Sequence, residues 1–587
     1  LNLWDVSKVT NMQNMFANAS SFDGNISSWD VSNVTNMEGM FSNAISFNSD
    51  LSSWDILNVQ TTKNMFSHAV SFNSDLSSWD VSGVVAMTGM FYNAQSFESD
   101  LSLWDVSSVL EMSSMFYNCS SFESDLSQWN VSNVTDMREM FSDADSFNSD
   151  LSQWNVSNVT DMSYMFKNTQ SFNSDLSQWN VSNVTDMTQM FVSSIINSDL
   201  STWNVSNVAT MREMFLNCAS FQSDLSSWNV SSVNDLFGMF RGAYNFNSNI
   251  SSWDVSNVTD MRYMFMNCIS FHSNLSSWDV SNVNRMSGMF RDAQNFNGDI
   301  SLWDVSNVTH MTQMFTSASS FNSDISSWNV SNVVSMREIF ADANTFNSDI
   351  SSWDVSSVID MFRMFNNANS FNVNISAWNI SNVINMTDMF YENSFSNEVI
   401  CSIDNAFSVN DNWDMNIDCS IQVGDFIEGG IVFYLDETGQ HGLVAAIEDL
   451  TEDATIDGEG NPGYQWGCFA TWLSGADGQA IGTGYQNTLD IVSGCSETPI
   501  AASEALAYES EGYSDWYLPS LNELNEMYNT IGAGSLDGNI GDFSNDWYWS
   551  SSESNNYGAY DINFSDGSTG NFSSKTKIVR VRVIRSF

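Results

Sequence analysis

Over most of the chain the apolar residues return on a 25-residue beat. In the stretch from Asp125 to Phe147, DLSQWNVSNVTDMREMFSDADSF, they are Leu126, Trp129, Val131, Val134, Met137, Met140, Phe141, Ala144 and Phe147, and Ser, Asn, Asp and Thr fill the gaps. The tryptophan recurs from Trp4 to Trp378 in steps of 25, with one step of 24 between Trp179 and Trp203. A fixed period in the twenties marks a stack of coils, each one supersecondary turn. The two-residue spacing of Trp129 and Val131 predicts a strand. The three- and four-residue spacing of Met137, Met140 and Phe141 predicts one helical turn on the return side. A single coil should not fold, because large side chains at about 2 kcal/mol each do not offset about 1.5 kcal/mol of ordering entropy per residue. Stacking supplies the missing term, so Trp129, Met140, Phe141 and Phe147 are expected to form a structural ladder through the coils. Sixteen coils at the ~4.8 Å strand spacing would extend on the order of 75 Å.

The spacing L-x-x-W-x-V-x-x-V-x-x-M-x-x-M-F, with W-D-x-S-N-V-T, resembles the bacterial BspA-type leucine-rich repeat and a related surface-lipoprotein repeat. The resemblance covers residues 1–397 and implies surface proteins used for adhesion and interaction. The predicted fold class is therefore a β-rich, leucine-rich-repeat-like solenoid, with a strand and a short helical turn per coil, followed by a separate α+β domain.

From Leu1 to Asn397 there is no proline. The short coil reads FVSSIINSDL from Phe191 to Leu200, and Ile196 takes the place usual for phenylalanine. Residues 398–420 read as a cap and linker, because an open array end would expose its core and its edge. From 421 to 587 tryptophan loses its period, Pro462, Pro499 and Pro519 enter, and glycine becomes frequent. IVFYL, LVAAI and the alternating KIVRVRVIRSF read as strands and ELNEMYNTI as a helix.

GDFIEGGIVFY, HGLVAAIEDL, QWGC, AIGTGYQNT, DWYLPSLNELNEMY, YWSSSE and VRVIRSF resemble, in order, the C-terminal domain of the Legionella collagen-like adhesins, a family similar in outline to C-type-lectin-like folds. The collagen-like members bind sulfated polysaccharides through a basic trimeric surface. This chain departs there, with no Lys or Arg between Ile421 and Ser574. Cys468 and Cys495 lie in the matching blocks and could form a disulfide, and Cys401 with Cys419 could close the cap. Cys119, Cys218 and Cys268 stand where other coils have alanine or another small residue, and read as small core residues.

Charge narrows the function classes. Seventy acidic against sixteen basic residues leave a net charge of −54, which argues against nucleic acid and against an anionic membrane surface. No apolar run is long enough to insert in a membrane. His68, His272, His310 and His441 share no metal spacing, and no H-E-x-x-H, G-x-S-x-G or phosphate loop occurs, so catalysis is the weakest reading. The prolines sit in NPG, TPI and LPS, not in the E-P-N or Q-P-D of calcium-dependent sugar binding in lectin-like folds.

Two calcium candidates arise. Asp125, Asp150, Asp175 and Asp199 recur once per coil, about 5 Å apart on stacking, and calcium could bridge them. The alternative is a solvated edge of turn-capping side chains, with raised pKa values or bulk cations easing the repulsion, favoured because Asn249, Asn274 and Asn374 replace Asp. Asp457, Glu459 and Asn461 in DGEGN offer alternating oxygens without a twelve-residue loop. Sequons such as Asn130-Val-Ser132 and Asn133-Val-Thr135 recur, read either as glycan acceptors or as a hydrogen-bonded Asn/Ser ladder. Together these predict a secreted or cell-surface bacterial adhesion protein, a rigid stalk with a recognition domain for extracellular polysaccharide or a surface protein. The rivals are a filament subunit built by head-to-tail self-association and a calcium-stiffened or ice-binding array. The chain opens in mid-repeat, and the expectation is that further coils precede Leu1 or that a neighbouring subunit docks there.

Overall fold

The computed structural model describes the chain except for positions 2, 414 and 416–418. It divides into two compact units, Leu1–Asn416 and Ile417–Phe587.

One coil of the first unit shows how the rest are built. From Met137 onward the backbone N–H groups alternate in direction. Those of Met137, Glu139, Phe141 and Asp143 donate to the carbonyls of Asp161, Ser163, Met165 and Lys167 in the next coil, at 3.1, 2.9, 3.0 and 2.8 Å. Those of Met140, Ser142 and Ala144 donate three residues back, to Met137, Glu139 and Phe141. Such alternation needs a left-handed residue every fourth position, and φ is 57° at Glu139 and 60° at Asp143. An α-helix cannot hold that pattern, so the predicted helical turn is in fact a run of tight turns. The predicted strand is absent as well. Trp129 and Val131 do turn inward with Asn130 outward, but the coils meet at fifteen single parallel bridges, from Asn11–Asn36 to Asp360–Asn385, the one in this coil being at Asp136. Among the described residues the first unit contains no strand, and its one helix is α1 (Asn397–Phe407).

The core is a set of columns. Phe141 stacks on Phe147 of its own coil with centroids 3.9 Å apart, and on Phe116 and Phe166 of the adjoining coils at 5.7 and 5.8 Å. Trp129 lies parallel to Trp154 at 6.5 Å. Contacts at these separations add about 0.5–1.5 kcal/mol each beyond burial. Each tryptophan is also pinned by its polar edge. Trp129 Nε1 donates to the Leu101 carbonyl of the preceding coil at 2.9 Å, and the same bond is made by every coil tryptophan from Trp29 to Trp378. Trp129, Met140, Phe141 and Phe147 are all buried, while Trp4 in the first coil is 57% exposed. The 24-residue coil keeps the tryptophan stack and its bond at Trp203, Ile196 is fully buried in the phenylalanine's place, and the bridge passes from Asp186 to Thr210.

Helix α1 closes the last coil. Ile403 and Phe407 join the array's core, and Trp413 sets its ring edge-on to Phe407 and Phe390 at 5.2 and 5.9 Å. The buried Asn410 amide donates to the carbonyls of Ile380 and Val383 at 2.6 and 3.0 Å, tying the cap to the last coil.

The second unit is α+β. Strands β1 (Phe426–Ile427), β2 (Gly430–Leu435), β3 (Gly442–Ala445) and β9 (Ile584–Ser586) form an antiparallel sheet in that order. Strands β4 (Thr455–Ile456) and β5 (Pro462–Gly463) make a short hairpin, and β6 (Trp547–Asn555), β7 (Gly558–Asn563) and β8 (Thr569–Ser574) make a three-stranded antiparallel sheet. Helices α2 (Gly484–Gly494), α3 (Ala501–Ala507) and α4 (Leu521–Thr530) lie between. Helix α4 begins at a capping box, Ser520 with Glu523, where the sequence predicts a helix. The alternating C-terminal stretch is a strand only over β9. Before it, Val579, Val581 and Val583 are buried, but so is Arg582.

Candidate functional site

The aspartate edge of the array is occupied by the fold itself. Asp125 Oδ1 accepts the Ser127 N–H at 2.9 Å and the Ser149 hydroxyl at 3.3 Å, and that hydroxyl in turn accepts the Leu126 N–H at 2.8 Å. Asp150, Asp175 and Asp199 repeat the serine turn at 2.9 Å. These bonds hold the carboxyls of Asp125, Asp150, Asp175 and Asp199 below the usual range, the neighbouring aspartates opposing only weakly. Repulsion is thus outweighed by hydrogen bonding and not eased by raised pKa values, contrary to the sequence-based expectation. Asn249, Asn274 and Asn374 accept the same serine N–H at 3.2, 2.8 and 3.0 Å. An amide oxygen serves as well as a carboxylate, which explains the interchange. The groove between two rungs, about 470 Å³ and lined by residues that include Asn148, Asp150, Asn173 and Asp175, has one carboxylate per rung.

The second calcium candidate is the β4–β5 turn. Asp457 Oδ1 accepts the N–H groups of Glu459 and Asn461, both at 2.8 Å, and Oδ2 takes the Asn461 amide at 3.2 Å. The carboxylate faces its own backbone as a turn cap. Among the described residues the one cluster of three potential ligands is Cys468, Cys495 and Glu497, and its two sulfurs are joined as a disulfide with Cα atoms 5.7 Å apart. Cys401 and Cys419 are disulfide-bonded as well. Neither aspartate set brings three ligands together.

The sequon asparagines are engaged in the same manner. Asn133 Nδ2 donates to the Ser107 carbonyl at 2.8 Å, and Asn130 Oδ1 accepts the Ser132 N–H at 3.2 Å. The three single cysteines are buried and donate to phenylalanine carbonyls, Cys119 to Phe91, Cys218 to Phe191 and Cys268 to Phe240. Burial pushes the Cys218 thiol up to about 12, leaving no reactive thiolate.

Sequence reading missed three features. The first is the bridge face of the array. The guanidinium of Arg212 lies 3.8 Å from the Phe237 ring centroid and that of Arg262 lies 5.0 Å from it, and Phe362 meets Arg337 of the preceding coil at 3.9 Å and its own chain neighbour Arg363 at 5.0 Å. Arg212, Phe237 and Arg262, like Arg337 and Phe362, come from successive coils, so the stacking register is what reveals these contacts. The second is a clasp of buried charge in the second unit. Arg582 Nε donates to Asp449 at 2.8 Å and its Nη1 to the carbonyls of Ala446 and Gly541 at 2.9 and 2.8 Å. Arg580 pairs with Asp449 and Asp546, both at 3.2 Å, and Arg585 with Asp515 and Glu428 at 2.7 and 2.8 Å. Lys575 is fully buried in contact with the equally buried Glu553. The third is a displayed aromatic loop, Cys468–Leu473, whose signal in the sequence is the uncharged run GCFATWLSG.

With this geometry in view, the comparisons with known proteins are as follows. The family described as Mycoplasma protein of unknown function, DUF285, matches residues 1–104, 95–196, 192–303 and 284–402. A leucine-rich-repeat protein of Leptospira interrogans, of known structure, is similar at 8% identity and a TM-score of 0.17, over 67% of this chain and 91% of that one. No curated protein matches in sequence.

Proposed function

The chain belongs to the DUF285 family through its repeat array, and from that premise we propose that it is a non-catalytic interaction protein of the bacterial exterior, whose solenoid-like array carries a C-terminal recognition unit for polysaccharide or protein ligands. The likeness of the repeat to the BspA type, and of the second unit to the collagen-like adhesin domain, belongs to this reading. No described helix is long and apolar enough to cross a membrane.

The observation that carries it is a contrast between positions of the coil. Where a side chain holds the stack together the residue barely changes: tryptophan at 129, aspartate or asparagine at 125, serine at 127. At 138 the bonds shared along the array are the backbone's, the carbonyl accepting the Ser114 N–H at 2.7 Å and the N–H donating to Asp136 at 3.0 Å, and the side chain is Gln13, Glu38, Lys63, Thr88, Ser113, Arg138, Ser163, Thr188, Arg212, Phe237, Arg262, Ser287, Thr312, Arg337, Phe362 and Thr387 in successive coils. Folding tolerates many side chains at this position, and arginine and phenylalanine, of the kinds enriched in binding hot spots, fill six of its sixteen places. The test is saturable binding of the labelled chain to bacterial and animal cell surfaces, with Arg212, Phe237 and Arg262 changed to the serine found at Ser163. Binding is expected to weaken about tenfold without a change in melting temperature. Absence of saturable binding to any surface overturns the proposal.

A further inference from the structure

We propose that the loop Cys468–Leu473 and the β6–β7 turn of the second unit together form a binding site for an uncharged saccharide, with Phe469, Trp472 and Tyr557 as its stacking surfaces; this rests on the reading of the chain as an interaction protein.

Three aromatic side chains stand out of this corner, Phe469 at 49%, Trp472 at 45% and Tyr557 at 59% exposure. Phe469 and Tyr557 touch edge to face, with centroids 5.4 Å apart. The loop that displays Phe469 and Trp472 is held at Cys468, Thr471 and Leu473. Cys468 is bound to Cys495, and its N–H donates to Glu497 at 2.7 Å. The Lys575 ammonium donates to the Thr471 carbonyl at 2.7 Å, and Glu553 accepts the Leu473 N–H at 2.9 Å. The same lysine's backbone takes up both segments: its carbonyl accepts the Trp466 N–H at 3.0 Å and its N–H donates to the Tyr557 carbonyl at 3.1 Å. The ammonium also lies 4.6 Å from the buried Trp466 ring. A fully buried ion pair carries a large desolvation cost, and here its remaining hydrogen bonds go to the loop that lifts Phe469 and Trp472 into water. The backbone is strained around the displayed ring, with Cys468 at φ 49° and Ala470 at φ 66°, conformations that side-chain-bearing residues seldom adopt unless the surroundings impose them. Rigid rings on a supported loop are what a preorganised site requires.

Charge and size select the ligand. Neither Gly467–Gly475 nor Ser554–Tyr560 contains a charged residue, in a chain with 70 carboxylates. The chain's net −54 repels a polyanion. Three half-exposed rings offer roughly 300 Å² of aromatic surface, far below the ~800 Å² per partner of a stable protein interface. The C–H face of a neutral sugar ring matches such a surface, and the exposed amide of Asn556 beside Tyr557 lies within reach of sugar hydroxyls.

The test is affinity electrophoresis of the full chain in gels containing dextran, mannan, amylopectin or hydroxyethyl cellulose, with heparin and alginate as charged probes. Retardation by at least one neutral polymer is expected, reduced about tenfold by Trp472→Ala and by Tyr557→Ala with unchanged melting temperatures, and kept by Tyr557→Phe. The site is overturned if no neutral polymer retards the chain, if only heparin or alginate does, or if both alanine variants bind as the parent does. If both alanine variants are retarded by the polymers as the parent is while the full chain still binds cells saturably, the saccharide site falls and the interaction reading stands.

Discussion

The two units keep their polar groups satisfied by opposite means. In the array the bonds stay within a coil, as from Met140 to Met137, or reach one coil away: Asn133 to Ser107, Trp129 to Leu101, Met137 to Asp161. In the second unit the decisive bonds reach far along the chain, from Arg585 to Glu428, from Arg582 to Asp449 and from Lys575 to Thr471. The five basic residues of that unit, Lys575, Lys577, Arg580, Arg582 and Arg585, all lie in its final stretch, and each meets a carboxylate from elsewhere. The array should therefore respond to damage locally, coil by coil, and the second unit as a whole.

The sharpest way to break this comparison is a pair of substitutions. Arg582→Ala leaves Asp449 with only Arg580 and Tyr548 and strands the buried carbonyls of Ala446 and Gly541, and should cost about 3 kcal/mol or more, with amide protection lost over the whole second unit in hydrogen-exchange mass spectrometry and kept in the array. Trp129→Ala should cost a similar ~3–5 kcal/mol through lost burial and a cavity, but with protection lost only in the adjoining coils. Trp4→Ala, at a half-exposed ring, should change little. Protection that falls throughout the array after Trp129→Ala would erase the distinction.

Removing the 468–495 crosslink by Cys468→Ser with Cys495→Ser should lower the second unit's stability by about 3 kcal/mol in calorimetry and leave the array's transition in place. Acid should separate the units more gently. The array's aspartates have folded pKa values below their unfolded ones, so the stability they lend is complete above the ordinary carboxylate range and is lost only as pH falls through the folded values. Burial raises Glu523 and Glu526 on α4, so their effect has the opposite sign: stability is greatest below the unfolded pKa and declines as pH rises through the folded one. As pH falls from neutral toward the ordinary glutamate range, melting curves should show the array unchanged and the α4 contribution improving, with the array weakening only below about pH 4. The smallest expected effect is that of calcium. Because Asp125, Asp150, Asp175 and Asp199 already face serine N–H groups, calcium should shift melting no more than magnesium at equal ionic strength, and a larger shift would restore a bridging role.

The period, the buried set of each coil and the tolerance of the 24-residue coil were legible in the sequence, because burial follows apolar spacing whatever the backbone does. The backbone path was not. Met137, Met140 and Phe141 have helical spacing, yet Glu139 between them is left-handed. Glutamate, tyrosine and arginine at that position in Glu139, Tyr164 and Arg363 give no hint of it. The signal lay in the column as a whole: Gly39, Gly89, Gly238 and Gly288 share the place of Glu139, and asparagine fills that of Asp143 in half the coils. The aspartates were visible as a ladder, but their role depended on Ser127 and Ser149 meeting at one oxygen. The aromatic corner was hidden because Phe469 and Tyr557 come together only through Lys575.

The bridge chain runs unbroken from Asn11 to Asn385, and it passes through the shortened coil between Asp186 and Thr210 without losing a rung. Since each coil offers its neighbour the same donors and accepts the same bonds, removing or duplicating one whole 25-residue unit recreates every junction it cuts. The reach of the array is thus quantised. Gain or loss of one whole coil would lengthen or shorten it by one rung, with α1 kept as the lid of the last coil.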